Sequence, residues 1–212
     1  MKIHPSKFTR EICNLAPVIP VIIINRVEDA VPMAEALVRG GLPVLEVTLR
    51  TPVALEAIAV MSAIKGGVVG AGTVLSNADV TAAKGAGAEF AVSPGCTDAL
   101  IDACEAADLP LLPGVSSAGE AMRALERGYD MLKFFPAEQA GGAPFLKSLA
   151  SPLPQISFCP TGGVSPANAL DYLKLPNVTC VGGSWVVGGD AVEKGDWDQV
   201  EELARLASRL KA

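Results

Sequence analysis

The stretch PVLEVTL, residues 43–49, decides how this sequence folds. It is a short run of aliphatic and β-branched residues with little polar alternation. A strand of that kind is buried on both faces, as in a parallel sheet covered by helices. Gly40-Gly41 precedes it as a helix stop, and Thr51-Pro52 follows it with the hydroxyl-then-proline pair that opens a helix. Seven further runs repeat the pattern: PVIPVIII from Pro17, GVVGAGT from Gly67, AEFAVS from Ala88, LPLLPG from Leu109, DMLKFF from Asp130, ISFCPT from Ile156 and VTCVGG from Val178. Their starts are spaced by roughly 21–26 residues, the length of one strand plus one helix.

The segments between these runs carry their own helix punctuation. Ser117-Ala-Gly-Glu120 has capping-box spacing, Ser165-Pro166 repeats the Thr51-Pro52 signal, and Gly66-Gly67, Gly85 and Gly128 are stops. Residues 5–15 predict an extra N-terminal helix. Val200, Leu203, Ala207 and Leu210 form the apolar stripe of a C-terminal one. Eight strand–helix units without a linker or composition break predict α/β architecture: a single (β/α)8 TIM barrel spanning 1–212 as one domain.

Composition narrows the function. Of 212 residues, 50% are hydrophobic and 19% charged, so there is ample material for a continuous core. The net charge of −6 argues against a general nucleic-acid or anionic-membrane surface, and any anionic ligand must be held locally. Five cysteines without a Cys-x-x-Cys pair read as reduced thiols. The opening MKIHPSKFTREICNL has no apolar signal core, and no uninterrupted apolar run reaches eighteen residues; the expectation is a cytoplasmic protein. The single histidine, His4, reads as a surface residue, which argues against histidine-based metal sites and Ser/His or Cys/His nucleophiles. Neither a Walker loop nor a dinucleotide-binding Gly-x-Gly-x-x-Gly after the first strand is present, so neither metal nor cofactor is expected.

The polar and glycine-rich residues cluster at the C-terminal ends of the expected strands, where barrel enzymes place their chemistry. Lys133 stands inside the apolar run Met-Leu-Lys-Phe-Phe-Pro, residues 131–136. Burial disfavours an ammonium and exposes a nucleophilic amine; on this signal alone Lys133 is a nucleophile or half of a structural ion pair. Glu46 is the second intrusion. With Thr48 and Arg50 it shares one face of its strand, so it is either a proton carrier beside Lys133 or simply its counter-charge. Arg50 could clamp a carboxylate or close a rim salt bridge. Thr161-Gly162-Gly163 and Gly182-Gly183-Ser184 end the last two strands, where bare backbone N–H groups with a following helix suit a phosphate.

Taken together, VLEVTLRT (44–51), VGAGTVL (69–75), SPG (93–95), KFFPAE (133–138), FCPTGG (158–163) and GGSW (182–185) resemble the 2-keto-3-deoxy-6-phosphogluconate (KDPG) aldolases, a group that includes 4-hydroxy-2-oxoglutarate (KHG) aldolase activity. The resemblance runs in order from about Pro17 to Trp185. It implies a class I lyase of the Entner–Doudoroff pathway on a TIM barrel, typically a homotrimer, that cleaves KDPG to pyruvate and glyceraldehyde 3-phosphate. By motif, it makes Lys133 the Schiff-base lysine and Glu46 the general acid/base. Arg50 and Thr73 hold the pyruvate carboxylate, Pro94, Phe135 and Thr161 line the pocket, and Gly162, Gly163, Gly183 and Ser184 cradle the phosphate. Two alternatives remain on the residues alone: a phosphate-binding isomerase or epimerase, and a catalytically silent metabolite-binding barrel.

Overall fold

The computed structural model describes residues 5–188 and 190–210; His4 lies outside them. Strands and helices alternate along the chain. Helix α1 (Lys7–Cys13) leads into β1 (Val18–Ile22), α2 (Ala30–Arg39), β2 (Val44–Thr48), α3 (Ala54–Met61), β3 (Val68–Gly72) and α4 (Asn77–Gly85). Then come β4 (Phe90–Val92), α5 (Asp98–Ala106), β5 (Leu111–Leu112), β6 (Gly114–Val115), α6 (Ala118–Glu126) and β7 (Met131–Phe134). The chain ends with α7 (Gly142–Leu149), β8 (Ser157–Pro160), α8 (Ala169–Leu173), β9 (Val181–Gly183), α9 (Asp190–Lys194) and α10 (Trp197–Ser208). No helix among the described residues is long and apolar enough to cross a membrane.

Every strand pairing is parallel. One sheet runs β5-β4-β3-β2-β1-β9 and the other β6-β7-β8. The fifth apolar run is split at Pro113: its first half pairs with β4 and its second with β7. A proline lacks the N–H that a continuous ladder needs. On the other side, single bridges from Phe158 to Val178 and from Thr161 to Gly182 link β8 to the β9 segment.

The sheet is curled, and the distribution of side chains shows it. Ile19, Val44, Phe90, Val92, Leu112, Met131, Cys159 and Cys180, drawn from strands of both sheets, meet in one apolar cluster on the concave face. Their sequence neighbours Val18, Leu45, Val47, Ala91, Leu111, Leu132, Phe134, Phe158 and Val181 point outward into the layer shared with the helices. Side chains alternate faces along a strand, so both sets must be apolar. Helix α1 closes the concave face from below with Ile12 and Cys13. Arg10 anchors that helix, donating to Asp130 Oδ1 at 2.9 Å and to the Asp130 carbonyl at 2.9 Å. At the far end of the chain, α10 lies so near α2 that a Cβ on Gly40 would come within 2.4 Å of Ala204 Cβ.

Several local signals resolve differently from their sequence reading. The Ser117 capping box forms as expected, with Glu120 accepting from the Ser117 N–H, and Ser76 with Asp79 makes a second. Thr51 does not cap α3; its hydroxyl donates to the Ile24 carbonyl at 2.5 Å, and the helix begins at Ala54. Pro166 likewise falls in a turn, and α8 begins at Ala169. Gly85 ends α4 as its last helical residue, whereas Gly87 takes the left-handed turn, with φ 94°. At Thr51 a tertiary partner outcompetes the local preference, whereas Ser165 is held by its own near neighbour Asn168, whose Oδ1 accepts from the Ser165 N–H at 2.7 Å.

Phe158 is fully buried and meets Phe134 edge-on, the ring centroids 6.4 Å apart. Phe158→Ala should therefore cost about 3–5 kcal/mol of stability, whereas Ser117→Ala, which removes only a cap, should cost about 1 kcal/mol. Urea-unfolding midpoints of the two variants, compared with the parent, test that ranking.

Candidate active site

Lys133 reaches the concave face from the middle of β7, and Glu46 from the middle of β2. Although 87 positions apart, they meet with Lys133 Nζ 3.0 Å from Glu46 Oε1. Both residues are nearly inaccessible, at 4% and 3% exposure. The apolar cluster lies beneath them. Phe135 presents its ring 5.5 Å from the Lys133 nitrogen, within cation–π range.

Room for the carboxylate comes from β3. A Cβ on Gly72 would stand 2.5 Å from Glu46 Oε1, so any larger residue there would displace it. The same logic holds across the site: a Cβ on Gly182 would stand 2.2 Å from Thr161 Oγ1. Thr161 thus projects into space that only glycine leaves open, and its hydroxyl is buried with the pair. Thr48, expected on the same face as Glu46, instead uses its hydroxyl to bind the Ile22 carbonyl at 2.9 Å.

A more exposed tier lies toward the strand ends. Arg50 follows β2 and donates from Nε to Thr73 Oγ1 at 3.0 Å, while its guanidinium remains exposed. Thr73 has φ 59°, in the left-handed region that a residue with a Cβ enters only at a cost. Pro94, half-buried, sits after β4 beside Ser93, whose hydroxyl accepts from Gly114 N at 3.4 Å.

The two glycine loops end β8 and β9. Gly162 and Gly163 take φ values of 100° and 77°, conformations that need glycine. The Gly162 carbonyl accepts from Glu138 N at 3.1 Å, and the Gly163 carbonyl from Asn168 Nδ2 at 3.1 Å. Among the described residues, the N–H groups of Gly163 and Val164 donate to nothing, whereas the bridge between Thr161 and Gly182 turns the Gly162 N–H toward the Gly182 carbonyl. Carbonyls bound and amides free is the polarity that an anion requires. It is the loop that offers these groups, because α8 starts several residues later. Gly183 is buried against the Trp185 ring and Ser184 is exposed beside it. Sequence reasoning missed Glu138, Asn168 and Tyr172 around this loop; only the Ser165-x-x-Asn168 spacing, in which Asn168 Oδ1 accepts from Ser165 N at 2.7 Å, left a local trace.

Of the cysteines, Cys159 touches this arrangement, its Sγ 4.0 Å from Thr161 Oγ1. Cys13, Cys159 and Cys180 belong to the apolar floor. The Cys180 thiol is held far above its ordinary range by hydrogen bonding with Cys13 and Cys159 and by burial. For Cys13 the bond to Cys180 acts downward, but burial and neighbouring charge prevail and raise it. Burial pushes Cys96 and Cys104 up to about 11.

With this geometry established, comparison with known proteins places the chain. It belongs to the KDPG and KHG aldolase family, whose model matches residues 9–203. The 2-dehydro-3-deoxy-phosphogluconate aldolase of Zymomonas mobilis is 52% identical over 200 residues, covering 94% of this chain and 95% of that protein. The KHG/KDPG aldolase of Escherichia coli K12 is 50% identical over 197 residues, 92% of each chain. A crystal structure of KDPG aldolase from Legionella pneumophila, with pyruvate captured at low pH as a covalent carbinolamine intermediate, has a TM-score of 0.92 and 46% identity, covering 98% of this chain and 100% of that one.

The raised thiols carry a pH signature. Their folded form holds protons more tightly than the unfolded chain, in which Cys96 and Cys104 titrate near 9.0. Their contribution is complete below pH 9 and is lost as pH climbs toward about 11. Urea midpoints at pH 8 and pH 10.5 should show the fall, and Cys104→Ala should make it shallower.

Proposed function

We propose that this chain is a class I aldolase that cleaves KDPG to pyruvate and glyceraldehyde 3-phosphate, with Lys133 as nucleophile and Glu46 as proton carrier. The observation that carries the reading is the buried contact of 3.0 Å between the Lys133 nitrogen and a Glu46 oxygen. An isolated amine or carboxylate in that environment would lack a partner for its proton; together they can pass one between them.

The steps balance as follows. Glu46 accepts a proton from Lys133, and the freed amine attacks the C2 ketone to give a carbinolamine. Glu46 returns that proton to the carbinolamine hydroxyl, which leaves as water, so an iminium forms and the carboxylate is free again. Glu46 then takes the C4 hydroxyl proton as the C3–C4 bond breaks; its electron pair moves to C3 and into the iminium, giving an enamine. The aldehyde departs, C3 is reprotonated, and water hydrolyses the imine to release pyruvate and Lys133. The Legionella relative, with its pyruvate carbinolamine, supports this covalent route. Because the iminium is the electron sink, no metal is required.

The remaining residues fit the substrate around that bond. Arg50, held by Thr73, faces the substrate carboxylate with a donor fork that suits it. Pro94, Phe135 and Thr161 line the reacting carbons. Gly162, Gly163, Gly183 and Ser184 receive the phosphate, and the free amides of Gly163 and Val164 in that loop support the assignment. The pyruvate-forming half is common to KHG, so turnover of that unphosphorylated compound is the second activity, consistent with the double name of the Escherichia coli relative. The reading also includes a closed (β/α)8 barrel over one domain, 1–212. The strand order, the break at Pro113 and the bridges to Val178 and Gly182 support closure.

Borohydride added with pyruvate should trap a single adduct on Lys133 by peptide mapping; an adduct on any other lysine would overturn the assignment. Glu46→Gln should form the imine more slowly and slow proton exchange at the pyruvate methyl by about 10²–10⁴-fold, read by NMR in D2O. Prolonged dialysis against EDTA should leave KDPG cleavage intact.

A further inference from the structure

The glycine loop after β8 is braced by a contact that lies outside the reacting groups. The Tyr172 hydroxyl, on α8, donates to Glu138 Oε1 in the loop after β7. Tyr172 is 1% exposed, so its ring is fixed in the core. The stem of Glu138 lies directly under the glycine loop, and a Cβ on Gly163 would come within 2.6 Å of Glu138 Cγ. The backbone of the same residue donates to the Gly162 carbonyl at 3.1 Å. Glu138 therefore touches both glycines, one through its main chain and one through its side chain, and Tyr172 fixes the end of that side chain. Burial, together with the bond to Glu138, raises the Tyr172 hydroxyl above its ordinary range, so it remains a donor at neutral pH.

We infer that Tyr172 and Glu138 are positioning residues that hold the Gly162–Gly163 loop with its amides turned toward a substrate phosphate, and so set the preference for phosphorylated over unphosphorylated keto acids. The inference rests on the phosphate assignment proposed above. Without the tyrosine bond, the Glu138 carboxylate is free to swing, the stem no longer braces Gly163, and the loop gains conformations in which its N–H groups diverge. A tether of this kind acts on substrate binding and leaves Lys133 and Glu46 untouched, because neither Tyr172 nor Glu138 bonds to them.

The experiment compares KDPG with 2-keto-3-deoxygluconate, the same carbon chain without phosphate, in steady-state assays of pyruvate release. Tyr172→Phe should raise KM for KDPG about tenfold, the scale of one lost charge-assisted hydrogen bond, with kcat unchanged. Its kcat/KM for the unphosphorylated compound should match the parent's. Glu138→Ala should behave in the same way, and Glu138→Gln, which keeps an acceptor for the tyrosine, should restore KM for KDPG to near the parent value. Equal losses on both compounds, or no change in KM for KDPG, would overturn the positioning role. Should Tyr172→Phe not fold, the two Glu138 variants decide the matter. A parent enzyme that shows no preference for KDPG would instead sink the phosphate assignment; a preference that survives in Tyr172→Phe and Glu138→Ala sinks only the tether.

Discussion

A charged amine and a carboxylate removed from water must find each other, and much of this molecule is arranged around that requirement. Moving either ion into the interior alone costs several kcal/mol, and deleting one partner of a buried pair typically costs about 3–5 kcal/mol. Replacing both with apolar residues is often neutral, so stability does not account for Lys133 and Glu46. The pair stands at 3.0 Å with both side chains nearly inaccessible to solvent, the arrangement on which the proposed proton transfer rests. The contact dictates its surroundings: glycine at 72 so that the carboxylate fits, a ring from Phe135 near the ammonium, and strands curled far enough for β2 and β7 to face each other.

Below that pair the concave face is uniformly apolar. Ile12 and Cys13 from α1 seal it, and Arg10 fastens α1 to the start of β7. The floor keeps water from reaching the amine from below. Within it, mutual hydrogen bonds and burial hold the Cys180 thiol well above its ordinary range. The polar side chains of the candidate site therefore lie on the upper side, where the strands end.

Above the pair the character changes within a few residues. Arg50 is exposed, Thr73 holds a left-handed backbone, and the Gly163 and Val164 amides have no partner among the described residues. In the function proposed above, a substrate with a carboxylate at one end and a phosphate at the other would meet donors near solvent at both ends, with its ketone toward the buried amine. Anchoring both ends would hold the bond to be cleaved near Lys133, which is the positional advantage that binding energy can supply.

How much of this was legible beforehand follows from the range of each interaction. The apolar runs, their spacing, the Ser117 capping box and the two charged residues intruding into strands at 46 and 133 are properties of neighbouring positions, and the sequence alone determined them. Local reasoning failed at Thr51, whose hydroxyl turned to the distant Ile24 carbonyl, and it passed over Pro113, which divided one strand between two neighbours. It was silent on the tether between Glu138 and Tyr172, 34 positions apart. That Lys133 and Glu46 should touch across 87 positions was decided only by the curl of the sheet, because pleat and periodicity state which face a side chain takes, whereas distance across that face depends on how far the strands bend toward one another.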